Sequence, residues 1–332
     1  MTNLLERLLQ EKGYLVADGA MGTNLFDLGL TDGAAPELWN VEHPERVFSV
    51  HQSFVEAGAD IILTNTFGAN RFRLGLHGLE GRVAELNRAG AETARNAAER
   101  SARKVIVAGA IGPTGDMLEP LGTRTSAQAQ EAFQEQAEAL KEGGVDVAWI
   151  ETMFSLDELG AALTGAGRAG LPCVATMSFD TGGRTMMGTT PAQAMCAARA
   201  MSPKPIAFGA NCGIGPAQLI DSVLGLASVA QAGELIVAKG NCGLPSLGPD
   251  MKTRYDGTPR SMAVYACMAR AAGARIVGGC CGTRAEHIQA IATALARQPG
   301  GPAPTYGEIE ASLGTVTRTV DARWRHVGCS CC

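Results

Sequence analysis

Short, continuously apolar runs rich in β-branched residues recur along this chain, and they constrain its fold more than any other feature. They cover residues 14–17, 60–63, 104–108, 145–150, 173–177, 205–208, 235–238 and 274–277. Alanine-rich stretches with helical spacing lie between them, as at 127–142 and 190–201. A run that does not alternate with polar residues reads as a strand covered on both faces, which is the mark of parallel βα units. Eight such units predict an α/β chain closed as a (β/α)8 TIM barrel, with an open doubly wound sheet as the competing arrangement. At Pro299-Gly300-Gly301-Pro302-Ala303-Pro304 the texture changes. The expected organisation is therefore one barrel over 1–298 and a C-terminal tail over 299–332.

Composition narrows the partners. The formal charge of −5 over 332 residues provides no basic field for nucleic acid. No apolar run approaches the length of a membrane span. The first dozen residues read as an amphipathic helix with acidic positions, not as a secretory signal. The expected location is the cytoplasm, where ten cysteines serve as thiols or metal ligands. Cys173, Cys196 and Cys267 sit in apolar contexts and read as core fillers.

In a barrel the chemistry gathers where strands end. Here the ends read Asp18-Gly19-Ala20-Met21-Gly22-Thr23, Thr64-Asn65-Thr66-Phe67-Gly68, Ile111-Gly112-Pro113-Thr114-Gly115, Glu151-Thr152, Ser178, Asn211-Cys212, Asn241 and Gly278-Gly279-Cys280-Cys281-Gly282-Thr283. Cys212, Cys280 and Cys281 offer three sulfurs from separate strand ends, a set that suits Zn2+ with one position open. Adjacent residues on a strand point to opposite faces, so Cys280 and Cys281 share a metal only where the chain bends, and the flanking glycines permit that bend. Cys242 is the nearby candidate for a fourth ligand, which would make the site a closed structural knot. Three thiolates around zinc favour capture of a substrate thiol, because a coordinated thiol is deprotonated outright. The reaction this implies is S-alkylation. The Asp18 and Glu151 carboxylates suit an ammonium group, and the turn at Ala20 and Met21 offers backbone N–H groups to a carboxylate. A helix cap at Asp18 and a structural hydrogen bond at Glu151 are the plainer readings. Asn65, Ser178 and Asn241 complete the expected substrate-facing set.

These motifs resemble those of the homocysteine S-methyltransferase family over roughly residues 10–297, with the glycine–cysteine motif the most specific. The resemblance implies a zinc-bearing barrel that methylates homocysteine to methionine, with Cys212, Cys280 and Cys281 as zinc ligands. It also implies that Asp18 and Glu151 hold the homocysteine amine, that the Ala20-Met21 backbone meets its carboxylate, and that Asn241 orders the metal loop. The family's betaine-using branch has aromatic residues near positions that here are Ala35, Gly68 and Thr152, with Trp39 and Phe67 the nearest rings in sequence. Gly68 and Thr152 instead resemble the homocysteine module of cobalamin-dependent methionine synthase. The expected donor is therefore methylcobalamin on a separate corrinoid protein, with a methyltetrahydrofolate-binding protein as a further partner. Betaine, S-methylmethionine or another onium is the alternative.

The tail carries Cys329, Cys331 and Cys332 beside His326, a cluster that suits metal delivery or closure over the open zinc position. Two other classes compete: a barrel that binds a phosphorylated ligand through its glycine-rich loops, and a zinc-storage or redox-sensing protein that uses all its cysteines. Neither explains why acids and asparagines gather at the same strand ends.

Overall fold

Each of the eight apolar runs forms a strand. The computed structural model describes residues 3–31, 33–248, 253–297 and 300–317, so the expected thiol cluster at Cys329, Cys331 and Cys332 lies outside the described residues. The strands are β1 (Leu15–Val16), β2 (Ile61–Leu63), β3 (Ile106–Ile111), β4 (Val147–Met153), β5 (Cys173–Met177), β6 (Ala207–Cys212), β7 (Ile236–Gly240) and, after a hairpin of β8 (Pro245–Leu247) and β9 (Thr253–Tyr255), β10 (Ala274–Gly279). They pair in parallel in the order β1-β10-β7-β6-β5-β4-β3-β2. A parallel bridge between Ala17 and Ile61 brings β1 beside β2 and completes the ring. An open doubly wound sheet would leave two edges there; the barrel leaves none.

Side-chain parity divides the core. Leu15, Ile61, Ile106, Val147, Trp149, Val174, Ala207, Val237 and Ile276 belong to one buried cluster inside the ring. Their strand neighbours, such as Val16, Ile62, Val107, Ala148 and Phe208, face the surrounding helices in a second cluster. Strands buried on both faces need no polar alternation, which is why the sequence shows none.

Helix α1 (Leu4–Lys12) opens with a capping box between Asn3 and Glu6 and stops at Gly13 in the left-handed conformation. Its Leu5, Leu8 and Leu9 join the interior cluster, so the helix plugs the N-terminal end of the barrel. Helix α2 (Met21–Asp27) follows β1, and α3 (Trp39–Glu42) and α4 (Pro44–Glu56) precede β2. After β2 come α5 (Arg71–Gly75) and α6 (Val83–Glu99). The outer ring continues with α7 (Ser126–Glu142), α8 (Leu156–Arg168), α9 (Pro191–Ala200), α10 (Pro216–Ala227), α11 (Pro259–Ala271) and α12 (Ala285–Arg297).

Residues 300–317 pack back onto the barrel. Helix α13 (Tyr306–Leu313) lies against α10 and α11, with Ile309 buried and the Tyr306 hydroxyl donating to Asp221 at 2.7 Å. Of the expected core cysteines, Cys173 is buried, whereas Cys196 and Cys267 are half-buried because they flank the apolar stripes of α9 and α11. No helix among the described residues is long and apolar enough to cross a membrane.

The plug gives a direct test. Leu5→Ala leaves a hole in the barrel floor and is expected to cost about 2–5 kcal/mol, read as a lower urea midpoint. Glu11→Ala, on the exposed face of the same helix, is expected to stay within about 0.5 kcal/mol of the parent.

Candidate active site

A cleft of about 1060 Å³ opens at the C-terminal end of the barrel. Asp18, Asn65, Glu151, Cys212, Lys239, Cys280 and Cys281 all line it, each from the end of a different strand except the last pair. Parity explains the convergence. The positions that point into the barrel along β4, β6, β7 and β10 run from core residues to Glu151, Asn211, Lys239 and Cys280.

The sulfurs meet because two chain segments bend toward one point. Cys212 ends β6 with φ 60°, in the left-handed region that β-strands do not use and few non-glycine residues adopt. Cys280 and Cys281 follow β10 at the start of a turn. The Cys280 N–H donates to the Gly240 carbonyl at 2.7 Å and the Cys281 N–H to Asn241 Oδ1 at 3.1 Å. Gly282 completes the bend at φ 78°, and its missing side chain leaves room for the Tyr255 ring. Asn241 Nδ2 donates to the Gly213 carbonyl at 2.6 Å, so one amide ties the Cys212 loop to the Cys281 loop. Asn211 forms a second tie. Its Nδ2 reaches Thr152 Oγ1 at 2.7 Å and Cys280 Sγ at 3.8 Å, and its Oδ1 accepts the Thr152 N–H at 2.9 Å. Thr152 sits at φ 62°, strain that for a β-branched residue costs roughly 1–3 kcal/mol.

The donor set fits zinc. The three Sγ atoms lie within 4.8 Å of one another, with Cys212 Sγ and Cys281 Sγ 3.9 Å apart. Tetrahedral zinc with Zn–S bonds of about 2.3 Å spaces its sulfurs about 3.8 Å apart. Cys242 is buried but stands outside this group and enters only through its backbone, its N–H donating to the Cys281 carbonyl. Three protein sulfurs leave a fourth position for a substrate atom, unlike a closed structural knot. As thiols the three hold their protons firmly. Cys281 is pushed up to about 12, first by its hydrogen bond with Cys212. A dication is what turns such a trio into an anionic donor set.

Across the cleft lies a charged cluster. Lys239, 2% exposed, donates to Asp18 Oδ1 at 2.7 Å, and the Leu63 N–H donates to Asp18 Oδ2 at 2.7 Å. Asp18 is thus a strand-closing acceptor as well as a wall residue. Burial pushes the Asp18 carboxyl up, against the pull of Lys239. The Glu151 carboxylate accepts no hydrogen bond from the described residues, although the residue is 9% exposed and lines the cleft. Burial pushes it up to about 7, with Lys239 opposing and Asp18 adding to the shift. The Glu151 oxygens open onto the cleft, where a ligand can supply a partner. Helix α2 begins at the same wall with no side chain capping it; the Ala20 N–H donates to the Thr283 carbonyl at 3.1 Å, and the N–H groups from Met21 onward start the helix at the cleft.

Of the residues expected from sequence, Asp18, Ala20, Met21, Asn65, Glu151 and the three cysteines line the cleft; Ser178 and Asn241 do not. The Ser178 hydroxyl turns to Asp180 at 3.4 Å, and Asn241 braces the sulfurs from behind. The Asn65 amide is engaged by the Pro36 carbonyl and Asn40 Oδ1, so it holds the loop before α3. Sequence reasoning missed Lys239, Glu37 and Tyr255, all of which line the cleft. For Lys239 the signal was present: Val237 points inward, so the residue two further along does too.

Comparison with known proteins agrees with this geometry. The sequence profile described as Homocysteine S-methyltransferase matches residues 15–295. Methionine synthase of Mycobacterium leprae is 33% identical over 95% of this chain and 27% of its own length. That of Mycobacterium tuberculosis is 34% identical over 89% and 25%. The chain therefore spans about a quarter of these relatives. The homocysteine methyltransferase MmuM from Escherichia coli superposes with a TM-score of 0.72 in its metallated form, at 25% identity over 87% of this chain and 99% of that one. Its oxidized form gives a TM-score of 0.71 at 27% identity, over 88% and 99%.

The bracing amide makes a prediction. Asn241→Ala separates the two cysteine loops without removing a sulfur, and zinc affinity is expected to fall about 10–100-fold. Competition with a chromogenic chelator measures the loss, and an unchanged far-ultraviolet spectrum shows that the barrel is intact.

Proposed function

The chain belongs to the homocysteine S-methyltransferase family, and we propose that it is a zinc-dependent enzyme forming methionine from homocysteine and a small cationic methyl donor. What carries the reading is one juxtaposition: the three-sulfur set and the unpartnered Glu151 carboxylate share one cleft. In this reading Cys212, Cys280 and Cys281 hold the metal. Zinc bound there would supply the charge that keeps a substrate thiol deprotonated at neutral pH. Asp18 and Glu151 hold the substrate ammonium, and the uncapped start of α2, from the Met21 N–H onward beside Ala20, receives its carboxylate. A substrate fixed at both ends of its amino-acid group directs its sulfur at the cysteines. The S–CH3 bond then forms as the donor's bond to the same carbon breaks, and the electron pair leaves with the donor.

The outer wall bears on the donor. Glu37, 5% exposed, accepts the Gly68 N–H at 2.7 Å through Oε1. A side chain at position 68 would press on that carboxylate, since a Cβ there would lie 2.9 Å from Glu37 Oε1. Gly68, which lacks the ring of the betaine-using branch, thus makes room for a buried negative charge. Burial pushes the Glu37 carboxyl up, while its hydrogen bonds, Arg73 and His77 act against that rise. Phe26, Phe67 and Tyr255 line the same cleft. Trp39 packs instead under Arg46, away from it. A carboxylate with three rings suits a quaternary ammonium or a sulfonium.

One observation favours methylcobalamin on a separate corrinoid protein as the second reading. The exposed large hydrophobic side chains among the described residues all follow β1, β2, β3, β5 or β7, from Phe26 and Leu28 round to Leu244 and Leu247. They ring the mouth, where a docking protein would sit.

Reduced, zinc-loaded protein with homocysteine and, in parallel, betaine, S-methylmethionine or methylcobalamin separates the two. Methionine formed from an onium donor is the expected result, with turnover lost on chelation and in Cys280→Ser. Glu37→Gln is expected to raise the KM of that donor about tenfold or more and to move that of homocysteine far less. Turnover with methylcobalamin alone would overturn the onium reading and leave homocysteine methylation standing.

A further inference from the structure

Lys239 is the buried cation at the base of the cleft, and the reaction outlined above gives it no part. It projects from β7 into the barrel, 2.7 Å from Asp18 Oδ1 and 5.5 Å from the centre of the Trp149 ring. Its stem has no route to solvent, and both it and its Asp18 partner are about 2% exposed. A lysine in such a place is rare without a charge to answer. The charged and titratable groups that face it are Asp18 from β1, Glu151 from β4 and Cys280 from β10. Asp18 makes the Glu151 carboxylate easier to protonate, and without the ammonium between them one of the pair takes a proton. A half-protonated pair offers an incoming ammonium one acceptor in place of two.

We propose that Lys239 is a positioning residue: its ammonium pins Asp18 and opposes protonation of Glu151, so that an amino-acid substrate meets two carboxylates from about neutral pH upward. The occupied pocket then holds two negative and two positive charges and is electrically balanced, whereas the empty one carries a single excess negative charge. That imbalance selects a ligand with an amine over the same thiol without one. The direction of the charge effects agrees. Burial by itself would lower the Lys239 ammonium, and Asp18 and Glu151 outweigh it to leave the group raised and charged; Lys239 in turn opposes the rise of Glu151. This inference rests on the assignment of Asp18 and Glu151 to the substrate amine.

The test uses L-methionine as the probe, because its sulfur carries no proton to confuse the count, and follows its dissociation constant by calorimetry on zinc-loaded protein from pH 6 to 9. In the parent, Glu151 accepts a proton near pH 7, so affinity is expected to fall only below that pH. Lys239→Met removes the group that opposes this protonation, so the fall is expected to begin at least about one pH unit higher, with affinity at pH 7 weaker by about tenfold. Lys239→Gln keeps a donor for Asp18 but no charge, and gives the same alkaline shift even if Lys239→Met does not fold. Lys239→Arg, which keeps the charge, restores the parent profile. A neutral variant whose profile coincides with that of the parent would overturn the role of Lys239. Methionine that fails to bind the parent would overturn the amino-acid pocket itself.

Discussion

Asp18 ties four strands together. Its N–H donates to Ile61 and its carboxylate accepts from Leu63, both on β2; its carbonyl accepts from Gly279 on β10; and its carboxylate pairs with Lys239 on β7. Strand β1 is two residues long and meets β2 through a single bridge, so the ring closes at this residue more by side-chain chemistry than by ladder. A carboxylate carries about four acceptor positions, enough for two structural partners and a ligand. The seam of the barrel and the wall of the cleft are therefore the same group. Closure brings β10 beside β1 and places Cys280 and Cys281 on the side of the mouth where α2 begins.

That economy comes with strain at the neighbouring strand ends. Thr152 and Cys212 are the non-glycine residues among those described with positive φ, and Asn211 bonds the first and adjoins the second. Left to local preference, both would continue their strands and aim their neighbours elsewhere. The two amides oppose that tendency: Asn211 fixes Thr152 against β6, and Asn241 fixes the Gly213 and Cys281 loops against each other. The sulfur set is thus preformed by hydrogen bonds from behind, so a metal need not order the loops itself.

The eight strands were legible because burial on both faces writes an uninterrupted apolar run, which needs no knowledge of partners. The three cysteines were legible because glycine on both sides of Cys280-Cys281 has few other uses. Lys239 was not read as a site residue, since a lysine closing the run Ile236–Gly240 looks like the solvated end of any strand. Its meaning depends on Asp18, 221 residues away, and on the register that sets both on one face. Glu37 and Tyr255 lie in connections whose course follows from packing, so nothing local marks them as wall residues. Ser178 shows the opposite error: a polar residue at a strand end was read as facing the cleft, but its chain turns toward Asp180 instead. Strand-end position selects candidates, and the parity of the preceding core residue decides among them.

The β8–β9 hairpin sets the size of what reaches the sulfurs. It leaves the barrel directly after Asn241-Cys242-Gly243, is pinned by Asp256 Oδ1 on the Leu244 N–H, and returns through Tyr255, whose hydroxyl hydrogen-bonds to Cys281. Its ring covers Gly282, where any side chain would collide with it. One flank of the trio is therefore roofed by an aromatic ring, and Phe67 and the Glu37 carboxylate stand on the wall formed by the β2 end and the loop before α3. On the proposed function, a donor enters between these walls and presents a methyl carbon in line with the substrate sulfur. In the proposed reaction a compact onium meets rings and a carboxylate on the way in, and its fixed charge is lost as the methyl group leaves. The wall that draws it in then holds the product less firmly, which favours release after transfer.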